Sequence, residues 1–403
     1  MTAGEAGPRG ADVRSDVWIR VEPRDSGGIE THVRSKVELL YGDHLRRQVA
    51  DGLAALDVTH ARVDVEDQGA LPLVIAARLE AAVHAAGLGT GRHVLPDPRN
   101  AGPSARDRFR RSRLYLPGTN PKFMMNAGLY GADGVILDLE DSVAPREKPA
   151  ARPLVRNALR FLDWGGAERM VRINQLPLGL EDLPYVVGHG AQMILIPKTE
   201  SQEQVVAVAE ACARLDVSES PPWLMPILES AKGIFAAERI ARAHPTVVAL
   251  TLGLEDLTAD LGAKRTDEGR ESQWARSVVV AAARAAGITP IDTVHSDFEN
   301  LDSLRTAVAE ARDFGFEGKG CIHPRQVRVV NEGFTPAGED LARAKRIVLA
   351  WDEAEAAGRG VVSLGSKMID APVVKRARRA VELAVAGGTL PADWKEREHA
   401  GHA

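Results

Sequence analysis

Residues 111–145 read RSRLYLPGTNPKFMMNAGLYGADGVILDLEDSVAP, and the fold is decided here. LYLPG (114–118) is a short apolar run closed by Pro-Gly. Apolar residues then recur at Phe123, Met124, Ala127 and Tyr130, close to helical spacing. GVILDLED (134–141) is an apolar run whose second half carries Asp138, Glu140 and Asp141. A strand buried on both faces should be apolar throughout. Carboxylates there are costly unless paired or bound to a cation. A strand that ends in acids is how an α/β barrel presents chemistry.

Downstream of this unit the chain keeps alternating. Strand candidates are RMVRIN (169–174), QMILIPK (192–198), WLMPILES (223–230), VVALTLGLED (247–256), TPIDTVH (289–295) and GKGCIHP (318–324), with helical patterns between them. Eight strands predict a (β/α)8 TIM barrel over 110–335. A doubly wound open sheet is the alternative. Against it, no G-x-G-x-x-G follows the first strand, and polar residues gather at the C-terminal ends of nearly all strands. GLGTGR (87–92) follows a helix and reads as a helix stop.

Upstream, residues 1–14 are Gly/Ala/Pro/Arg-rich and are expected to be a disordered tail. Residues 15–92 read as a small α+β domain. DVWIRVEP (16–23) and IETHVRS (29–35) are expected to pair as a hairpin, ARVDVED (61–67) is a third strand, and helices are predicted over 43–56 and 71–87. The Pro/Gly/Arg/Asp-rich stretch 93–109 reads as a linker. Residues 336–403 carry C-terminal helices and an apolar loop with Lys367 and Asp370, expected to form a lid or a subunit contact.

Composition bounds the function. The 403 residues are 44% hydrophobic and carry a formal charge of −5, so nothing points to nucleic acid or to an anionic membrane surface as a partner. No apolar run reaches the length of a membrane span, and the N-terminus lacks the apolar core of a secretory signal. Cys212 and Cys321 are isolated, which suits a reducing, cytoplasmic location.

The candidate chemistry sits at strand ends. Glu229 closes ILES, and Asp256 closes LGLED beside Glu255. Carboxylates without interleaved His or Cys favour Mg2+ or Mn2+ over zinc. The alternative is that they are helix-capping acids. Arg172, inside an apolar strand, needs an anion, either a substrate carboxylate or an ion pair with Glu140 or Asp141. Lys198 stands among acids that keep it protonated, which disfavours a Schiff base. His295 and His323 are read as structural.

From Arg111 to about Val385 the chain resembles the citrate lyase β-subunit and malyl-CoA lyase group of the HpcH/HpaI aldolase superfamily. The likeness rests on RSRLYLPG, GVILDLEDSVAPREKPAAR, VRIN, ILIPKTES, PILESAKGI, LGLEDLTADLG, GKGCIHPRQV and KMIDAPVVKRA. It implies a Mg2+-dependent C–C lyase that cleaves a citryl-, citramalyl- or malyl-CoA type thioester to a 2-oxo acid and an acyl-CoA. Glu229 and Asp256 match metal ligands, Arg172 the substrate-holding arginine, and Glu140 and Asp141 an acid pair around the metal. Asp370 matches a lid acid that reaches a neighbouring subunit's active site in a homotrimer or hexamer. Other outcomes consistent with the likeness are a malyl-CoA thioesterase on the same site, or a β/γ fusion subunit working with a citrate lyase α-subunit-like partner.

Residues 15–87 resemble the citrate lyase γ-subunit, an acyl carrier, through SDVWIRVEP, VELLYGDHLRRQV and VEDQGALPLVIAARLEAAVHAA. In that family a serine before Ser-Asp carries a phosphopantetheine-type prosthetic arm. Here the chain reads Arg14-Ser15-Asp16, so a guanidinium stands at the attachment position and Ser15 is the adjacent hydroxyl. The expectation is an unmodified docking module.

Overall fold

The computed structural model describes residues 2–10, 12–100, 102–215, 221–266, 268–356, 358, 362–364 and 367–401. The N-terminal unit contains β1 (Gly4–Ala6), β2 (Val17–Pro23), β3 (Ile29–Ser35), helix α1 (Glu38–Ala55), β4 (Ala61–Asp67) and helix α2 (Pro72–Ala85). Its sheet runs β1-β2-β4-β3. The expected hairpin is therefore corrected. β4 lies between β2 and β3, antiparallel to the first and parallel to the second. The physical reason is burial. β4 alternates buried and half-buried residues and takes the central place, whereas β3 is mostly exposed and suits an edge. Helix α1 supplies the crossover that parallel pairing of β3 and β4 requires. Residues 4–6, expected within a disordered tail, instead pair antiparallel with β2. There the backbone of Gly4 runs against α2, so close that a Cβ would meet the carbonyl of Ala82 at 2.2 Å.

Helix α2 is mostly apolar, as befits a helix buried on nearly every side. Leu73 through Val83 are all buried. One side covers the sheet and the other packs on the barrel helix Lys148–Phe161. Its two charges are both paired. Arg78 donates to both oxygens of Asp16 at 3.1 and 2.8 Å, and to the carbonyl of Thr119 at 2.8 Å. Glu80 accepts two bonds from Arg156 at 2.8 and 2.7 Å, and both side chains are essentially inaccessible. Arg156 holds the Glu80 carboxyl below its ordinary range despite burial. The described residues of 93–109 form no helix or strand but are hydrogen-bonded to their surroundings. The N–H of Val94 donates to Glu80, and Asn100 donates to the carbonyls of Leu159 and Leu162.

The following eight strands are β5 (Ser112–Pro117), β6 (Gly134–Asp138), β7 (Glu168–Arg172), β8 (Met193–Ile196), β9 (Trp223–Leu228), β10 (Ala249–Leu252), β11 (Thr289–Val294) and β12 (Lys319–Cys321). They are parallel and close into a barrel, with β12 paired to β5. The interior is filled by Ile136, Met170, Met193, Leu195, Met225, Ile227 and Ile291. Asp292, next to Ile291, faces the surrounding helices, where it accepts from Lys319 at 2.7 Å and from Arg276 of helix Gln273–Ala286 at 2.9 Å. Behind the barrel, helices Gly338–Ala356 and Ala371–Ala386 pack on each other around Ile347, Val348, Val374 and Val381. Arg379 ties them to Glu317 at 2.6 Å and lies over the ring of Phe109. Glu317 and Phe109 precede β12 and β5, so this attachment is at the N-terminal face of the barrel. Among the described residues, no helix is long and apolar enough to cross a membrane.

The Glu80–Arg156 pair joins the two units where water does not reach. Glu80→Ala should destabilise the protein by about 3–5 kcal/mol, because Arg156 is left buried without its anion. Urea unfolding measures this, and a loss below about 1 kcal/mol would show that the docking does not depend on the pair.

Candidate active site

The C-terminal ends of the strands surround a cavity of about 450 Å3. Arg113, Tyr115, Asp138, Asp141, Arg172, Glu229, Thr251, Asp256 and Asp292 are among the residues that line it.

Asp138 is the anchor of one wall. It is the last residue of β6, directly beside Arg172, the last of β7. Arg172 donates through Nε and one terminal nitrogen to the two Asp138 oxygens, at 2.6 and 2.7 Å. The same carboxylate accepts from the N–H of Glu140 at 3.0 Å and of Ser142 at 3.2 Å. Burial opposes the charge of Asp138, but Arg172 outweighs it and holds the carboxyl below its ordinary range. Both expected readings of Arg172 therefore meet a third. Its chelating edge belongs to Asp138, a residue the sequence marked as needing a partner. The other terminal nitrogen stands 2.9 Å from Glu140 and 3.8 Å from Asp141.

The loop after β6 is held from behind. Lys148 donates to the carbonyls of Leu139 at 3.0 Å and Glu140 at 2.8 Å, and also to the Asn174 side chain. Asn174 is fixed in turn by Asp182, through its backbone N–H at 2.7 Å and its amide at 2.8 Å. Glu140 is thereby turned inward and buried, while Asp141 stays half-exposed at the rim. Lys198 lies 2.9 Å from Glu140 and 3.5 Å from Asp141. Burial lowers the affinity of Lys198 for its proton, but Glu140, Asp141 and Asp256 together raise it above the ordinary lysine value. The ammonium is a fixed cation, not a free amine.

The opposite wall is acidic. Glu229 follows β9, and Asp256 lies in the first turn of the short helix Leu254–Asp260 after β10. Glu229 is 5% exposed, and its Oε1 accepts from the backbone N–H of Lys198 at 2.6 Å. Lys198 adopts a left-handed backbone, φ 47°, where that N–H is presented. Burial pushes the Glu229 carboxyl up to about 8, and the charges of Asp256 and Glu140 push the same way. Gly253 touches it so closely that a Cβ there would meet Glu229 Oε2 at 2.3 Å. Glu255 also borders the cavity and pairs with Arg265.

Among the described residues, no group of three or more His, Cys, Asp or Glu is arranged as a ready metal site. Two observations nonetheless fit a cation bound with water and substrate oxygens. Oε2 of Glu140 is buried with no hydrogen-bond partner, although Arg172 stands 2.9 Å away in poor alignment. Glu229 is buried beside further acids without a cationic side chain of its own. Hard divalent ions such as Mg2+ keep several waters and need only one or two protein carboxylates.

The remaining candidates lie elsewhere. Asp370 is exposed, caps helix Ala371–Ala386 by accepting from the N–H of Val373 at 3.2 Å, and does not line the cavity. Ser15 precedes β2 in a left-handed conformation, φ 57°, with Asp16 behind it buried on Arg78. His323 caps a helix start and stacks on Phe298. His295 shares a hydrogen bond with Ser303 at 2.9 Å. Sequence reasoning missed Arg113, Gly253 and Lys148. The first sits at an interior position of β5, where a charge is the only signal. The other two act through close approach and backbone contacts that no pattern announces.

Comparison with known proteins agrees with the barrel fold. The family model described as HpcH/HpaI aldolase/citrate lyase matches residues 111–324. A model described as malonate decarboxylase delta subunit, of the acyl-carrier type, matches residues 9–86. The citrate lyase subunit beta of Haemophilus influenzae is 39% identical over 289 residues, covering 70% of this chain and 98% of the relative. A (3S)-malyl-CoA thioesterase of Cereibacter sphaeroides is 36% identical over 278 residues, covering 68% and 95%. The crystal structure of CitE from Mycobacterium tuberculosis in complex with magnesium, acetoacetate and coenzyme A superposes with a TM-score of 0.58 at 32% identity, covering 70% of this chain and 99% of that one. On the match over 111–324 and the near-complete coverage of these relatives, the chain belongs to the HpcH/HpaI aldolase/citrate lyase family.

Proposed function

We propose that this chain is a Mg2+-dependent carbon–carbon lyase that cleaves a 3-hydroxy-acyl CoA thioester to a 2-oxo acid and an acyl-CoA. The observation that carries this reading is the convergence of Glu229, Asp256, Asp141 and Arg172 on one cavity at the strand ends, in a chain of this family. Glu229 and Asp256 would hold the metal, with Glu140 close by; Mn2+ suits the same oxygens. The bound ion supplies electrophilic polarisation of substrate oxygens and offsets developing negative charge.

The protein's own groups do the rest. Arg172 is fixed by Asp138, and its remaining terminal nitrogen, 2.9 Å from Glu140 but poorly aligned with it, would meet a substrate carboxylate already oriented. The acid pair Glu140–Asp141, with Lys198 between them, is the candidate station for the 3-hydroxyl proton. Removal of that proton breaks the C2–C3 bond. The hydroxyl carbon becomes the 2-oxo carbon, and the electron pair moves to C2 as a thioester enolate. A proton delivered to C2 then releases the acyl-CoA. Asp370 lies off its own cavity and exposed, which suits delivery to a neighbouring copy in a trimer or hexamer. A monomer in solution would remove Asp370 from the mechanism.

The N-terminal unit is read as a docked module and not as a swinging carrier. Its support is the buried Glu80–Arg156 pair and Arg14 in the attachment position. A prosthetic-group mass on Ser15 in protein from the native host would overturn that reading, and would favour work beside an α-subunit-like partner.

Mass spectrometry of products from citryl-, citramalyl- and malyl-CoA with Mg2+ tests the reaction. A lyase yields acetyl-CoA and a 2-oxo acid. Free CoA with the intact hydroxy acid would mean a thioesterase, and no turnover of any thioester would reject the proposal. Gly253→Ala should raise the Mg2+ concentration needed for half-maximal rate by about tenfold or more, because the new methyl displaces Glu229. The backbone is not strained, since φ at Gly253 is an ordinary −106°, but the methyl also meets Glu229 Cβ at 2.8 Å, so urea unfolding of the variant is measured alongside. Unchanged Mg2+ dependence in this variant would take Glu229 out of the metal site.

A further inference from the structure

Arg113 is a charge that the reaction above does not use. It belongs to β5, whose alternation places it with Tyr115 on the interior side of the barrel. It is 1% exposed. One terminal nitrogen donates to the Met225 sulfur at 3.0 Å, and the other to the Thr251 hydroxyl at 3.3 Å and the Asp292 carbonyl at 3.2 Å. Its Nε is buried with no partner. All these acceptors are neutral. The other arginines buried to a similar degree, Arg78, Arg110 and Arg156, each grip a carboxylate with two nitrogens.

The nearest acid does not resolve the imbalance. The Asp292 carboxylate already serves Lys319 and Arg276. Both of those bonds go to one oxygen of the carboxylate, whereas Arg113 meets Asp292 at its backbone carbonyl. Desolvation of a guanidinium without an anion is costly and lowers its hold on the proton. Arg113, Thr251 and Asp292 line the same cavity as Arg172, Glu229 and Asp256. The cavity thus offers an anion two separate places: the outer edge of Arg172 and the unpaired guanidinium of Arg113.

The candidate substrates differ in that respect. Malyl and citramalyl thioesters carry one free carboxylate. A citryl thioester carries a second, on a carboxymethyl group attached to the hydroxyl-bearing carbon. We infer that Arg113 seats this second carboxylate, so that the site selects a thioester with two free carboxylates and a dicarboxylic 2-oxo acid as product. This inference rests on the proposed lyase reading for its substrate, but not for its ligand chemistry, which a binding measurement reads alone.

Arg113→Met tests it. Methionine fits an interior already built from Met170, Met193 and Met225, and replacing a buried charge by an apolar side chain is often neutral or stabilising. The ratio of kcat/KM for citryl-CoA over citramalyl-CoA should fall by about 30-fold or more, the scale of a lost charge-assisted contact. Independently of turnover, calorimetry with Mg2+ should show the wild-type chain binding oxaloacetate more tightly than pyruvate, with that preference lost in Arg113→Met. Equal losses for both ligands would mean a structural arginine and overturn the inference. If no thioester is cleaved, the lyase reading fails while the oxaloacetate–pyruvate comparison still decides the anion seat. If Arg113→Met does not fold, Arg113→Lys, which keeps the charge without the planar fork, should retain part of the preference. Wild-type protein without a preference for oxaloacetate would overturn the inference outright.

Discussion

The site depends on one electrostatic constraint: carboxylates at the barrel mouth are packed more closely than their cations can neutralise. Asp138 consumes the chelating edge of Arg172. Glu140 shares what is left of Arg172 with Asp141 and shares Lys198 as well. Glu229 receives only a backbone N–H. It therefore keeps a proton that an exposed glutamate would lose, with its carboxyl pushed up to about 8. A group held in this condition is poised for a cation, because binding one replaces a costly proton by a favourable charge.

The scaffold serves that constraint at several removes. Lys148, Asn174 and Asp182 fix the loop that turns Glu140 inward. Gly253 makes room for the Glu229 carboxylate. The N-terminal unit is bound to the outside of the same region, since Arg78 reaches the carbonyl of Thr119 just after β5 and Glu80 grips Arg156 on the helix after β6. Preorganisation of this kind gives a barrel its catalytic advantage, because the charges do not reorganise during the reaction.

Much of this was legible from the chain. Apolar runs alternating with helical patterns announced the eight strands, and the charged residues at the ends of some of them put Glu229, Asp256, Glu140, Asp141 and Arg172 at one end of a barrel. What the runs could not carry was partner choice. Asp138 and Arg172 are adjacent only after β6 and β7 pair in register. Glu255 and Asp256 look equivalent in LGLED, and both border the cavity, but Glu255 is taken up by Arg265. In the N-terminal unit, two alternating strands separated by Ser-Gly-Gly suggested a hairpin, but long-range burial of β4 prevailed over the local turn signal. Arg113 was visible only as a charge in an apolar run, and its lack of an anion is a property of the folded interior.

The central claim is that Glu229 exchanges a proton for a divalent cation. Calorimetric titration of Mg2+ into the metal-free protein, in buffers of different ionisation enthalpy, reads this directly. With the carboxyl pushed up to about 8, Glu229 is mostly protonated at pH 7, so Mg2+ binding should release a proton. The release should vanish by about pH 9.5, and affinity should rise with pH over the same interval. Mg2+ binding with no proton release at pH 7, or an affinity independent of pH, would contradict the account.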